Sequence, residues 1–235
     1  MIQPWLLAVL LVLPKGSTPP GLYYEQTTQS VVGTSPRGAP VRTRVYSTGR
    51  RMRLESGETQ GGPALVLRLD EDRAFRLDPT AKTASLVDLT RLRAQSQMDV
   101  SVAGEALGAT EEGAARTTPL EGTKVIAGRT CRGFRIASAQ ASLEVYVAQV
   151  GVGIEAFTDF LEWSGAGQSL GSLLDELRKL PGFPLETRVR AKVNGESVAT
   201  ITTVTKMELG PLTPALFDVP AGFRMVEGPA SPEED

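Results

Sequence analysis

Arginine is the side chain with the clearest capacity for chemistry in this chain, since 19 arginines stand against six lysines. Several of them lie between residues 37 and 53, where polar and apolar residues alternate along two short segments. The alternation predicts two strands that share four arginines on the face turned away from the core. These are Arg42, Arg44, Arg51 and Arg53. Guanidinium groups in such an array can bind anionic lipid headgroups or an acidic protein partner.

The arginine-rich strands also have a purely structural interpretation. Cross-strand ion pairs with Glu25, Glu55 and Glu58 would neutralise the arginines and leave a solvated sheet surface. Few aromatic residues lie among the arginines, and the net charge of the chain is −2. A nucleic acid requires a positive surface and stacking platforms, so no nucleic-acid partner is expected.

Composition narrows the catalytic options, because the chain has no histidine and a single cysteine, Cys131. Nucleophilic sites with an imidazole base are excluded, as are metal sites built on histidine or clustered cysteine. No S-x-x-K or G-x-S-x-G motif supplies another activated nucleophile. Asp70, Glu71 and Asp72 are adjacent, which suits a hairpin turn better than convergence on one Ca²⁺ ion. We therefore expect no catalytic residues, no metal and no cofactor, and an inert, buried Cys131.

Period-two alternation from residue 22 to residue 89 predicts strands with one buried face. Turns rich in Gly, Pro, Asp and Ser separate these segments without intervening helices, which predicts an antiparallel meander. Residues 90–122 are less regular, and we expect there a short helix capped by Thr90 and a loop or an irregular edge over residues 104–115. Strands are expected to resume near residues 123–127, 131–137 and 143–148.

Two helices are predicted in the second half, over residues 154–164 and 168–180. Their apolar residues form one stripe, with i, i+3, i+4 and i+7 spacing in the second helix. The stripe either packs directly against the sheet or forms a lid over an apolar cavity that holds acyl chains. The candidate cavity residues are Phe157, Phe160, Leu161, Trp163, Leu170 and Leu174.

The last hairpin carries the strongest local signal. Alternating residues 185–193 are followed by Asn194-Gly195, a pair typical of a type I′ turn, and by a return strand over residues 197–207. Residues 227–235 are acidic and lack apolar residues that could bury a core, so a disordered tail is predicted.

Residues 5–13 form an uncharged apolar run that ends at Pro14. A bilayer-spanning helix needs about 20 residues, so this run is too short to cross a membrane. Its length suits the hydrophobic region of a signal peptide, and residues 1–20 are predicted to be a signal and linker. A short buried helix of the domain is the alternative. The signal interpretation places the protein in the periplasm or outside the cell, without a transmembrane span.

Three segments together resemble a known family. Residues 128–134 read GRTCRGF, residues 182–185 read GFPL and residues 216–223 read LFDVPAGF. In this order, around two helices and an Asn-Gly hairpin, they resemble a bacterial envelope family, domain-of-unknown-function family 4412. That family is similar in architecture to the outer-membrane lipoprotein carriers. The resemblance implies a strongly curved, half-open antiparallel barrel with helices across its concave side, and it implies no catalytic residues.

The sequence therefore predicts a single mainly β (α+β) domain over residues 21–226, a curved antiparallel half-barrel with a two-helix lid. We expect a non-catalytic exported envelope protein that binds or senses a lipid-like or lipoprotein-like apolar ligand in the concave side of the sheet. The alternative is a protein-interaction module that docks an envelope partner through the arginine-rich face or an edge strand. An apolar volume inside the barrel would favour the first function, and a filled core with an exposed patch would favour the second.

The signal interpretation gives a direct test. The mature protein recovered from its own cells should begin between about Lys15 and Leu22, because signal peptidase acts shortly after the apolar run. Amino-terminal sequencing or intact-mass measurement checks this. A soluble mature form that retains Met1 would contradict it.

Overall fold

The structure is a computed structural model that describes residues 21–227, except residues 49, 59, 92, 95–114, 138–140, 153–171 and 194–195. Its described part is dominated by strands, which form one sheet. In chain order they are β1 (Gly21–Val32), β2 (Ser35–Thr48), β3 (Arg51–Ser56), β4 (Ala64–Arg68), β5 (Arg73–Asp78), β6 (Thr83–Leu86), β7 (Arg116–Ile126), β8 (Arg129–Ala137), β9 (Ala141–Ala148), β10 (Phe183–Val193), β11 (Glu196–Gly210) and β12 (Arg224–Val226).

The sheet consists of two antiparallel meanders joined at a single seam. Strands β1 to β6 pair in sequence order, and strands β7 to β11 do the same. The seam is the antiparallel pairing of β1 with β11, from Gly21 opposite Gly210 to Val32 opposite Val198. At the far end of the first meander, β12 adds in parallel beside β6. The sheet is not closed, because β7 and β12 remain its two edge strands.

The second meander is strongly curved. Four strand spacings separate β7 from β11, which amounts to about 19 Å in a flat sheet. Cα atoms of the two strands nevertheless come within 8 Å of each other. The Nζ atom of Lys124 on β7 also lies 2.6 Å from a carboxylate oxygen of Glu186 on β10. The curved, unclosed antiparallel sheet predicted from the sequence is therefore confirmed.

Side chains alternate along each strand, so the register defines two faces of the first meander. The core face carries Leu22, Tyr24, Val45, Met52 and Leu67, all of which are almost fully buried. They belong to a large apolar cluster that continues into the second meander through Phe183, Leu185 and Val204. The arginine face is the opposite one, and it carries Tyr23, Arg42, Arg44, Arg51 and Arg53.

A short helix, α1 (Ser172–Arg178), packs over the continuation of the core face on β8 to β10. Leu173, Leu177 and Leu180 follow the i, i+4, i+7 spacing and join a cluster with the inward side chains of the strands. The backbone N–H of Thr117 on β7 donates a hydrogen bond of 3.1 Å to the Glu176 carboxylate, which ties α1 to the edge strand.

The chain after β11 covers part of the arginine face. Its 3₁₀ helix (Pro214–Phe217) places Phe217, which is fully buried, against Tyr46, Val66 and Leu77. Arg53 donates a hydrogen bond of 3.3 Å to the carbonyl oxygen of Leu216. The LFDVPAGF segment is therefore a structural strap, and both faces of the first meander are buried at this point.

Most predicted elements are present, and the exceptions have local causes. The second predicted helix is described over Ser172–Arg178, and the first lies outside the described residues, as do the signal segment and most of the acidic tail. Asp88, not Thr90, caps the helical turn at residue 89, because its carboxylate accepts the N–H groups of Thr90 and Arg91 at 2.9 and 3.1 Å.

Two hairpins bear on the turn predictions. Val193 pairs with Glu196, so the predicted last hairpin is present, and the Asn-Gly pair between these residues lies outside the described part of the chain. Strand β7 begins at Arg116, earlier than predicted, because its bulge between Pro119 and Thr123 hides the alternation. The hairpin between β7 and β8 turns through Ala127 and Gly128, which have φ of +47° and +72°. Positive φ at both central residues is typical of a type I′ turn, in which Gly128 is the usual second residue and Ala127 replaces the usual Asn, Asp or Gly.

Gly182 is the position where the fold most clearly requires glycine. Its φ is +133°, and a Cβ atom there would lie 2.6 Å from the carbonyl oxygen of Ala148. We expect Gly182→Ala to lower the free energy of unfolding by about 2–4 kcal/mol, through backbone strain and this clash. Gly128→Ala is the control, since its Cβ would meet nothing within 4 Å. It should lose only about 1–2 kcal/mol of conformational energy. Urea unfolding measures both, and equal losses would contradict the clash.

Candidate ligand-binding site

A band of polar side chains crosses the core face at the seam. Gln26 and Thr28 extend from β1, Thr43 from β2 and Thr202 from β11. Their exposed fractions are 4%, 4%, 1% and 8%. We define these four residues as the polar band. Polar side chains this deeply buried normally find hydrogen-bond partners within the protein.

Apolar side chains flank the polar band along the strands. Tyr24 precedes it on β1, Val45 follows it on β2 and Val204 lies opposite Gln26 on β11. The Tyr24 ring packs edge-on against Phe183, with ring centroids 5.9 Å apart. The band is thus a polar stripe on an otherwise apolar surface.

The hydrogen bonding of the polar band is incomplete. The hydroxyl oxygens of Thr28 and Thr202 are 3.1 Å apart and satisfy each other. The Nε2 atom of Gln26 and the Oγ1 atom of Thr43 are buried, yet neither bonds to any group in the described part of the chain. The two residues are direct cross-strand neighbours. Each unsatisfied group costs about 1–3 kcal/mol, so the pair lacks a stabilising partner among the described residues.

The arginine face carries the charged chemistry of the molecule. Four carboxylates on this side of the sheet are at most 8% exposed, and each is paired with a cation. The pairs are Glu25 with Arg42, Glu55 with Arg53, Glu144 with Arg135, and Glu186 with both Lys124 and Arg188. A buried charge is strongly unfavourable unless an opposite charge lies beside it. These ion pairs therefore allow the four carboxylates of the arginine face to be shielded from water.

The four arginines singled out from the sequence lie together as expected, and all are bound to groups of the same chain. Arg42 pairs with Glu25, and Arg51 lies 2.8 Å from Asp70. Arg53 lies 2.8 Å from Glu55. Arg44 donates a hydrogen bond of 3.0 Å to the carbonyl oxygen of Gly57. The pair of Arg42 with Glu25 is a cross-strand pair of the kind that the structural interpretation anticipated, whereas Arg53 and Glu55 are two positions apart on β3.

Local contacts shift the ionisation of several groups on this face. The Tyr23 hydroxyl, 2.6 Å away, and then the Arg42 guanidinium hold the pKa of Glu25 below its usual value. Burial and the hydrogen bond to Glu25 raise the pKa of Tyr23. Burial opposes ionisation of Glu186, but hydrogen bonds from Lys124 and Arg188 outweigh it and leave its pKa lowered. All three residues therefore keep their ordinary charge states at neutral pH.

Of the six predicted cavity residues, Leu174 is the one that falls within the described chain, and it is 3% exposed on α1. The other five, Phe157, Phe160, Leu161, Trp163 and Leu170, lie outside the described residues. Leu174 is one position along from Leu173, about 100° around the helix, so it borders the stripe that packs on the sheet.

Cys131 is buried and unbonded to another cysteine, and burial raises the pKa of its thiol. A raised pKa keeps the thiol protonated, which fits the inert role expected of it. The described residues contain no group of three His, Cys, Asp or Glu side chains that could hold a metal ion. In the same residues, every helix is too short or too polar to cross a membrane.

Sequence reasoning missed the polar band, although a signal for it exists. Leu22, Tyr24, Gln26 and Thr28 form one period-two series, so the alternation that points Leu22 inward also points Gln26 inward. Alternation does not reveal that Gln26 lacks a hydrogen-bond partner among the described residues. This lack depends on the hairpin register that sets Thr43 opposite Gln26.

Residues 34–223 match the family model described as Domain of unknown function (DUF4412). Comparison with the curated proteins finds no match.

Among solved structures, the chain is similar to an uncharacterized conserved protein from Thermus thermophilus, with a TM-score of 0.44 and 13% identity over 89% of this chain and 91% of that one. It is similar to PNGF-II, with a TM-score of 0.35 and 14% identity over 89% of this chain and 31% of that one. A proposed outer membrane lipoprotein-sorting protein domain from Vibrio parahaemolyticus gives a TM-score of 0.32 and 8% identity over 84% and 89% of the two chains. TM-scores this low carry no functional conclusion.

Glu186 provides a test of the charged network. Glu186→Gln keeps the shape but removes the charge that Lys124 and Arg188 share, so we expect a loss of about 1–3 kcal/mol in unfolding free energy at pH 7. A carboxyl whose pKa is lowered by folding stabilises the protein above its unfolded pKa, about 4.3, and loses this contribution as the pH falls through its folded pKa. The difference between variant and wild type should therefore shrink below about pH 4.

Urea unfolding at a series of pH values measures this difference. Glu208→Gln serves as the matched control, because its partner Lys206 is also a lysine but the pair is exposed. The control should be indistinguishable from wild type. A difference for Glu186→Gln that is constant between pH 7 and pH 3 would show that charge is not its cause.

Proposed function

The chain belongs to the DUF4412 family, and we propose that it is a non-catalytic exported envelope protein that holds a lipid-like apolar ligand against the core face of its sheet. The observation that carries the proposal is the shape of this face. It is apolar across both meanders, and the sheet that bears it is curved and unclosed.

Three features support a lipid-like ligand. A curved, unclosed sheet with one extended apolar face offers surface that can take up acyl chains. The Leu-rich helix α1 lies across one end of the surface. The polar band interrupts the surface at its centre, as expected where an apolar ligand carries a polar group.

Export and the lack of catalysis complete the proposal. Export rests on the apolar run at residues 5–13, whose length suits a signal peptide. The absence of histidine from the whole chain removes the commonest acid–base catalyst, which favours binding over turnover. We place the protein in the periplasm or outside the cell on the same grounds.

A protein-interaction module remains the second candidate. Strand β7 is an edge strand on which Val125 is 69% exposed, and such an edge can accept a strand from a partner. Two observations weigh against it. Pro119 and the adjacent bulge interrupt the edge, and the four central arginines are engaged with groups of their own chain. Lipid binding is therefore the better-supported proposal.

A fluorescent probe tests the lipid proposal. Wild-type protein should bind N-phenyl-1-naphthylamine with about one site per chain, and oleic acid should displace it, because both occupy an enclosed apolar site. Leu174→Trp adds bulk beside the helix stripe and should abolish probe binding while leaving the circular dichroism spectrum unchanged. Wild-type protein that binds neither probe nor oleic acid would contradict the proposal.

Two leucines of α1 test whether this helix is a lid over ligand space or part of a filled core. Leu177→Ala removes a side chain packed in the cluster on β8 and β9, and should lower the unfolding free energy by about 2–5 kcal/mol. Leu174→Ala should lose less than about 2 kcal/mol if Leu174 faces ligand space, since little protein packing is removed there. Equal large losses at the two positions would favour a filled core.

A further inference from the structure

We propose that Gln26 and Thr43 bind the carbonyl oxygen of an acyl ester or acyl amide, so that the ligand is an acyl chain carrying a neutral carbonyl group. This inference rests on the proposed lipid-binding function and specifies the ligand class. It starts from two buried polar atoms at the seam that have no partner in the described part of the chain.

The donor chemistry of the pair indicates an acceptor. The Nε2 atom of Gln26 carries N–H groups and can only donate, and the Thr43 hydroxyl can donate as well. A carbonyl oxygen has two lone pairs and can accept one hydrogen bond from each. Gln26 and Thr43 are cross-strand partners and do not bond to each other, so one oxygen between them would satisfy both.

The surroundings favour a neutral ligand group. Along the strands, the core-face neighbours of the pair are Tyr24, Thr28, Val41 and Val45. Across the strands they are Val204, opposite Gln26, and Ser56, opposite Thr43. None of these side chains is a cation, and the arginines lie on the opposite face. Among the described residues, a carboxylate or phosphate here would be a buried charge without a counter-ion, which is strongly unfavourable.

The position of the pair also fits an acyl chain. Apolar side chains continue from the pair along β1 and β2 through Tyr24 and Val45. On the other side, the register row through Thr28 leads by way of Thr202 and Thr187 to Val145, within the cluster under α1. A hydrocarbon chain leaving the carbonyl therefore meets apolar surface at once on the side of Tyr24 and Val45, whereas on the other side it reaches Val145 after a row of threonines.

Four C18 probes of matched length test the assignment by displacing N-phenyl-1-naphthylamine from the full-length chain: methyl oleate, N-methyloleamide, oleic acid and 1-octadecene. Wild-type protein should prefer the ester and the amide to 1-octadecene by tenfold or more, since a hydrogen bond to the carbonyl oxygen is worth about tenfold in affinity. A difference between ester and amide identifies which source of the carbonyl is preferred. Oleate is charged at pH 8 and should therefore bind no better than 1-octadecene.

The double variant Gln26→Met and Thr43→Val removes both donors with little change of shape. Its affinity for 1-octadecene should stay the same, and its preference for methyl oleate should fall to within twofold of 1-octadecene. The control is Thr28→Val with Thr202→Val, which removes two hydroxyls that satisfy each other on the same face. The control should keep the wild-type preference. Thr43→Val alone gives a second, milder variant, which should lose part of the preference.

The outcomes separate this inference from the proposed function. A double variant that retains the ester preference overturns the carbonyl assignment, and so does a wild type that binds all four probes equally. Either result leaves lipid binding intact. A melting temperature raised in the double variant, with the preference unchanged, would mean that the pair holds only a buried water. Wild-type protein that binds no probe overturns both the inference and the lipid-binding function.

Discussion

The pairing of β1 with β11 is the contact on which the rest of the molecule depends. Each meander is built from neighbours in sequence, and this one seam makes them a single sheet. The polar band lies on the seam, with Gln26 and Thr28 on β1 and Thr202 on β11. Gln26, Thr28 and Thr43 meet within the first meander, and Thr202 completes the polar band only when the two halves of the chain are joined.

The arginine face stabilises the same sheet through ion pairs. The sheet buries side chains on both faces where the strap crosses the first meander, so carboxylates such as Glu55 lose contact with water. Arg53 neutralises Glu55 and also donates to the Leu216 carbonyl oxygen of the strap. One guanidinium thus satisfies the sheet and its cover together, a task to which its planar array of donors is suited. The abundance of arginine over lysine is consistent with this structural use.

Local patterns predicted the strands and faces well, because alternation is a property of neighbouring residues. Arg42 and Arg53 lie where alternation put them, with Glu25 diagonally across from Arg42 and Glu55 two positions along the strand from Arg53. Alternation could not predict features that depend on which residues face each other across paired strands. The missing partner of Gln26 depends on what faces it across two strands. A bulge hides the alternation in the strand that begins at Arg116, and the turn at Ala127 and Gly128 has alanine in place of the Asn or Asp that usually precedes the glycine.

The seam also has a consequence for how the chain reaches its folded state. Thr28 and Thr202 meet across the seam although 174 positions separate them in sequence. Closing so long a loop is slow, and folds dominated by such contacts assemble slowly. Until the last hairpin is synthesised, β1 presents an unpaired edge, the kind of surface on which nascent chains aggregate. A chaperone that shields this edge would thus affect the yield of native protein more than its final stability.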